Sequence, residues 1–196
     1  KKGGSKIMNQ FLKQANLIKD EIINYRRTIH KNPEVGAELP KTKAYVMEQL
    51  KKIGYEPKEI CESGIVATLE GNKSGKTFLL RADMDALPMK ENNECDFKSE
   101  NGCMHSCGHD MHTAMLLGAA KLLMQNKEQI EGTVKLVFQP DEEGFTGSKK
   151  MIQAGVLENP KVDAAMAMHV HSGTPSNVIL CGLGTSIAGC NRFRIV

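Results

Sequence analysis

The stretch Met104-His105-Ser106-Cys107-Gly108-His109-Asp110-Met111-His112 packs one thiol, three imidazoles and a carboxylate into nine residues. These are the side chains that bind transition metals. By itself Cys107-x-His109 fits a packed core as well as a metal site. Three His and a Cys this close together are harder to explain as packing. A thiolate is a soft donor able to bridge two ions, and imidazole suits zinc, nickel, cobalt or manganese to varying degrees. Cys107 stands at the mouth of an expected helix, whose N-terminus favours the thiolate. Gly108 lets the backbone approach an ion. His112 lies one turn beyond His109 on the same helix face, either behind the ligands or facing a cleft. Asp110 complements the dipole of the first turn. His105 and Cys103 read as structural first and as donors second.

Two further clusters carry compatible chemistry. Gln139-Pro140-Asp141-Glu142-Glu143-Gly144 puts three acids in a row after a strand. They repel one another unless they are solvated or bind cations. One carboxylate can hold an ion while its neighbour takes a proton from water and returns it to a leaving amine. A plain acidic turn is the alternative. His169 closes the apolar run Ala164-Ala165-Met166-Ala167-Met168 and reads as a ligand, with His171 further into the loop. In Arg81-Ala82-Asp83-Met84-Asp85, the two Asp share one face of a strand end. They read as carboxylates that steady a metal ligand, or as a pair capping the next turn.

The elements that must position these groups alternate. Apolar spacing predicts a helix over 11–30, stopped by Asn32-Pro33, and a second over 42–53 ended by Gly54. Short β-type runs at 65–70 and 77–82, separated by 71–75, read as a hairpin. A helix follows over 109–126, then a strand at 133–138, a helix at 147–154, and strands at 163–170 and 178–183. Cys61 and Cys181 fall in strand-like runs as small core residues. The order implies an α/β fold, a mixed sheet with helices on both faces. Ligands in such sheets sit at the carboxyl ends of strands, where all three clusters fall.

Composition narrows the classes further. The 196 residues are 40% hydrophobic and 25% charged, so one good core is expected. A net charge of +3, dispersed along the chain, argues against a nucleic-acid partner. No apolar run reaches the roughly 18–20 residues that cross a bilayer, and no signal peptide is visible. No membrane partner and a cytoplasmic location are therefore expected. The six Cys contain no C-x-x-C pair, so neither a disulfide framework nor a zinc ribbon is expected. Residues 1–7 read as a tag or leader.

With these residues in hand, the chain resembles the M20 metallopeptidase/aminoacylase family, in its amidohydrolase subgroup. The matching motifs are Arg26-Arg27-x-x-His30-x-x-Pro33-Glu34, Arg81-Ala82-Asp83-Met84-Asp85-Ala86-Leu87-Pro88, His105-x-Cys107-Gly108-His109-Asp110-x-His112, Gln139-Pro140-x-Glu142-Glu143, and His169. The resemblance implies two divalent metal ions, zinc first, with manganese, nickel or cobalt as alternatives. It makes Cys107 the bridging ligand and His109, Glu143 and His169 terminal ligands. Glu142 becomes the general base, and Asp85 the carboxylate that works behind the ligands. His112, Asp110 and Asp83 stand behind the ligands or face substrate. The implied substrate is an N-acyl amino acid or short peptide. The family also implies a further His ligand late in a chain about twice this long, and a dimerising lid domain. On that reading 8–189 is the first part of the catalytic domain, and 190–196 opens the lid of a homodimeric parent. Two other readings stay open: a zinc-stabilised binding module without catalysis, and a thiol hydrolase with Cys107 as nucleophile.

Overall fold

The computed structural model describes residues 2–184. Five strands form one mixed sheet in the order β1 (Lys58–Ile60), β2 (Gly64–Glu70), β4 (Glu131–Gln139), β3 (Lys73–Asp83), β5 (Ala164–Ala167). β2 runs antiparallel to β1 and β4, while β3 runs parallel to β4 and β5. Five helices accompany it: α1 (Lys2–Leu17), α2 (Lys19–Lys31), α3 (Pro40–Ile53), α4 (His109–Gln125) and α5 (Gly147–Gln153).

β4 shows why the sheet is covered on both faces. Val134, Leu136 and Phe138 point to one side and join Ile65, Ala67 and Leu69 of β2 beneath α2, α3 and α4. Val137 points to the other, where it meets Leu79, Met151 of α5 and Val156. Alternation along a strand produces both contacts from one segment. The mixed α/β sheet with helices on both faces is as expected.

Lys135 occupies the second face with 2% of its surface exposed. Its ammonium donates to the carbonyls of Val156, Glu158 and Pro160 at 2.9, 2.5 and 3.0 Å. It thereby closes the loop between α5 and β5. Burial pulls its pKa down, and the charge of Glu158 opposes that only in part. Lys135→Met keeps the stem and removes all three donors. Stability should fall by about 1–3 kcal/mol, read as the midpoint shift in urea unfolding.

Four expectations need correction. The helix over 11–30 is two helices, with the break at Ile18 (φ −106°, ψ 11°). Ile18 is itself buried, so the apolar stripe runs unbroken through the bend. Second, 65–70 and 77–82 are not a hairpin, because β4 lies between them. The intervening turn turns its hydrogen bonds on the start of β4: Gly71 N–H donates to Gly132 O and Asn72 N–H to Ile130 O. A Cβ on Gly71 would stand 2.2 Å from Ile130 O, so only glycine lets the turn wrap so closely. Third, the expected strand at 163–170 is confined to Ala164–Ala167, and 178–183 forms no strand. Ile179 and Leu180 are 84% and 77% exposed, with no strand beside them among the described residues. Fourth, Cys181 is exposed, and Cys61 sits in the β1–β2 turn at φ +51° rather than in a strand, though it packs half-buried against the second core cluster as a core residue would. Cys190 and the segment 190–196, expected to open a lid, lie outside the described residues. α1 extends back through the positions read as a leader. No helix among the described residues is long and apolar enough to cross a membrane.

Candidate metal centre

Three parallel strands deliver the site. β3 and β4 end in register at Asp83 and Gln139, and β3 pairs β5 from Phe78–Ala164 to Arg81–Ala167. Their carboxyl ends therefore share one edge of the sheet, and α4 begins there. Asp83, the turn 140–144, His169 and the Cys107–His112 stretch meet at that edge, as strand-end placement predicts.

His109 is central. It is 1% exposed, and its Nδ1 lies 2.8 Å from the Asp85 carbonyl oxygen, to which it donates. Its Nε2 is buried with no hydrogen-bond partner. A histidine that donates one ring N–H to a carbonyl and aims the other nitrogen at a cluster of anions is set up as a metal ligand. Around Nε2 lie Asp83 Oδ2 at 3.7 Å, Glu142 Oε2 at 3.8 Å and Glu143 Oε1 at 3.9 Å. Cys107 Sγ lies 3.5 Å from His169 Nε2. Donor atoms about 2.0–2.3 Å from one ion stand roughly 3.3–3.8 Å from each other, so these spacings fit shared coordination. Three sets have all their donor atoms within 4.8 Å: Cys107–His109–His169, His109–Glu142–Glu143, and Asp83–His109–His112. The first two overlap at His109 and between them contain Cys107, His109, Glu143 and His169, the ligands expected within these residues, together with Glu142.

Asp85 holds the acidic turn. Its Oδ1 accepts the Glu142 N–H at 3.0 Å and its Oδ2 the Glu143 N–H at 3.1 Å. The Asp85 carboxylate thus fixes two adjacent backbone amides, while its backbone carbonyl fixes the His109 ring. Asp85→Asn presents an amide N–H to one of those backbone donors. Metal affinity should drop about 10–100-fold, measured by zinc titration of the apo chain.

Electrostatics separates the roles. Burial pushes the Cys107 thiol up, with Glu143 and Glu142 adding to it, to about 11. The expected help from the helix N-terminus is therefore outweighed, and the metal-free group is a thiol. Burial also raises the Glu142 carboxyl, against the opposing pull of His109. That is the direction a proton-transferring carboxyl needs. Burial raises Asp83 as well, but the His112 hydrogen bond and the Arg81 charge prevail and hold it at about 2.

The remaining expected residues are placed as follows. His112 binds Asp83 and stands behind the donors. Asp110, 0% exposed, turns instead to α2, where its Oδ2 accepts from His30 Nδ1 and Arg26 Nε. One residue on from His109, it is turned about 100° around α4. His105 is buried with both ring nitrogens unpartnered, and burial lowers its pKa to about 4. His171 is exposed, bonded to Gly173 N–H. Sequence reasoning passed over two groups. Arg81 ties Asp83 Oδ2 (2.7 Å) to Gln139 Oε1 (2.9 Å); its place before Asp83 on an inner strand was the available signal. Glu91, buried against His30, gave no signal in a polar loop.

A mixed α/β sheet with thiol, imidazole and carboxylate donors gathered at its parallel strand ends is a metal-binding catalytic-domain fold. Residues 79–186 match the model of peptidase family M20/M25/M40, and the chain belongs to that family. Thermostable carboxypeptidase 2 of Saccharolobus solfataricus is 46% identical over 184 residues, covering 91% of this chain and 46% of the relative. The N-acyl-L-amino acid amidohydrolase of Geobacillus stearothermophilus is 39% identical, covering 91% and 48%. Among solved structures, the Bacillus subtilis YXEP protein, described as a dinuclear metal binding peptidase of the M20 family, superposes with a TM-score of 0.78 at 36% identity. That match covers 82% of this chain and 45% of that one. The chain thus spans about half the length of the curated relatives it matches.

Proposed function

We propose that the chain carries the metal centre of a hydrolase that cleaves the amide bond of N-acyl amino acids or short peptides. The observation that carries this reading is the buried, unpartnered His109 Nε2, ringed by Asp83, Glu142 and Glu143, with Cys107 and His169 alongside. Cys107, His109, Glu143 and His169 would hold two divalent ions, with zinc the first choice for a thiolate–imidazole set. When bound, such ions polarise an amide carbonyl and acidify water. Glu142 takes the proton from the attacking water and returns it to the leaving amine. Asp85 keeps Glu142 and Glu143 in register through their N–H groups. His109 is held in the tautomer that exposes Nε2. The relatives named as an amidohydrolase and a carboxypeptidase, and the dinuclear neighbour, support the substrate class and the ion count.

The thiol-hydrolase alternative requires a thiolate, and burial, with the carboxylates beside Cys107 adding to it, pushes its pKa the other way. A closed single-zinc module leaves the surplus of donors around His109 unused. Metal content per chain of the full-length parent, measured by plasma mass spectrometry without added chelator, tests the reading. About two ions per chain are expected, as in dinuclear hydrolases. One tightly held zinc whose removal unfolds the chain would establish the structural module instead.

A further inference from the structure

β5 ends at Ala167, and residues 168–170 belong to no strand. The sheet ladder therefore does not set the position of His169. The His169 ring donates from Nδ1 to Val170 O at 2.6 Å and lies against Cys107 Sγ, and two further contacts act on the next residue. The Val170 N–H donates to His112 Nε2 at 2.9 Å. The Val170 side chain fills the space above Gly108, where a Cβ would stand 2.3 Å from Val170 Cγ2. Gly108 is at φ +86° as well, so glycine is required there twice over.

His112 is 3% exposed, and both of its ring nitrogens are engaged. A backbone N–H only donates, so Nε2 must accept. The neutral ring then carries its proton on Nδ1 and donates it to Asp83 Oδ1 at 2.6 Å. Asp83 is anchored in turn: Arg81 binds its Oδ2, and Thr113 Oγ1 donates to its carbonyl at 2.8 Å. The His112 ring meets His169 edge-on, with centroids 4.6 Å apart. Although Asp83, His109 and His112 cluster closely enough for an ion, His112 has no nitrogen left to offer one.

We propose that His112 is a positioning residue that seats His169 against Cys107 through the Val170 N–H and does not itself hold an ion. The inference rests on the reading of Cys107, His109 and His169 as metal donors. It runs as a chain from Arg81 through Asp83, His112 and Val170 to His169, tying the end of β3 to the loop after β5.

The test combines ¹⁵N NMR of the His112 ring, before and after Zn²⁺, with zinc titration of variants. His112→Gln places an amide oxygen about where Nε2 stands and can still accept from Val170. His112→Asn reaches only as far as Nδ1 and keeps the Asp83 bond alone. The expected ring is neutral with its proton on Nδ1, and unchanged by zinc. His112→Gln should bind zinc within about threefold of the parent, whereas His112→Asn should lose about 10–100-fold. An Nε2 resonance displaced by zinc would make His112 a ligand and overturn the proposal, as would an imidazolium ring or equal losses in both variants. Should the parent chain take up no zinc, the metal reading fails, and the ring tautomer still decides the link to Val170.

Discussion

Glu142→Gln is expected to slow amide hydrolysis by about 10²–10⁴-fold while metal content per chain stays unchanged. The substitution keeps shape and hydrogen-bonding size but removes the group that carries the proton. The backbone of residue 142 remains fixed by Asp85, so the turn should hold Glu143 in place. The paired measurements are turnover of an N-acyl amino acid and metal content by plasma mass spectrometry. Loss of metal in this variant would show that Glu142 is a ligand and that the roles of the two neighbours are exchanged.

His30→Ala is expected to destabilise the fold by about 3–5 kcal/mol, the usual cost of breaking a buried ion pair. His30 is 4% exposed and lies between two buried carboxylates, with Nδ1 2.8 Å from Asp110 Oδ2 and Nε2 3.0 Å from Glu91 Oε1. Both nitrogens donate, so the ring is an imidazolium. Glu91 also accepts the Ser99 N–H at 2.8 Å, and Phe97 packs edge-on against His30 beneath Arg26 and Arg27. This latch fastens the long polar loop that leads to Cys107 onto α2. Its removal should lower the thermal midpoint by about 2–4 °C per kcal/mol lost.

The latch also predicts a pH dependence. The Asp110 hydrogen bond raises the His30 pKa, Glu91 adds to it, and burial opposes both without prevailing. A raised folded pKa means that the contribution is complete below about pH 6.5 and fades as pH climbs through the higher folded value. Burial raises Asp110 and Glu91, but their partners prevail and lower both. Their share is present above the ordinary carboxylate range and is lost in acid. The stability gap between the parent and His30→Ala should therefore be widest at mildly acid to neutral pH and narrow in alkali. Chemical melts at several pH values check this; a gap that widens in alkali would exclude the imidazolium.

Much of the candidate donor cluster was legible because its residue types are unusual at strand ends and helix starts. Cys107, His109, Glu143 and His169 needed only local context, and α4 ended within a residue of its expected limit. What stayed hidden was non-local. The strand order depends on β4 inserting between two strands that are neighbours in sequence, and no local pattern encodes that. The rise of the Cys107 thiol was hidden because the helix start is visible nearby, whereas burial, its main cause, and the carboxylates that add to it come from the fold, the latter from more than thirty residues on. Asp110 looked like part of the metal motif, yet its partners, His30 and Arg26, come from α2. Glu91 is one acid among many polar residues until the fold buries it.

The outer side of β5 has consequences for the chain in solution. Ala164–Ala167 pairs with β3 on one side only among the described residues, and all four positions are exposed. Nearby in sequence, Val178-Ile179-Leu180-Cys181-Gly182-Leu183 carries no charge and no proline, and lies open to solvent. An unpaired rim of backbone amides beside an uncharged β-prone hexapeptide is a template for strand addition between molecules. This margin of the sheet should therefore favour concentration-dependent clumping, which a modest net charge does little to oppose.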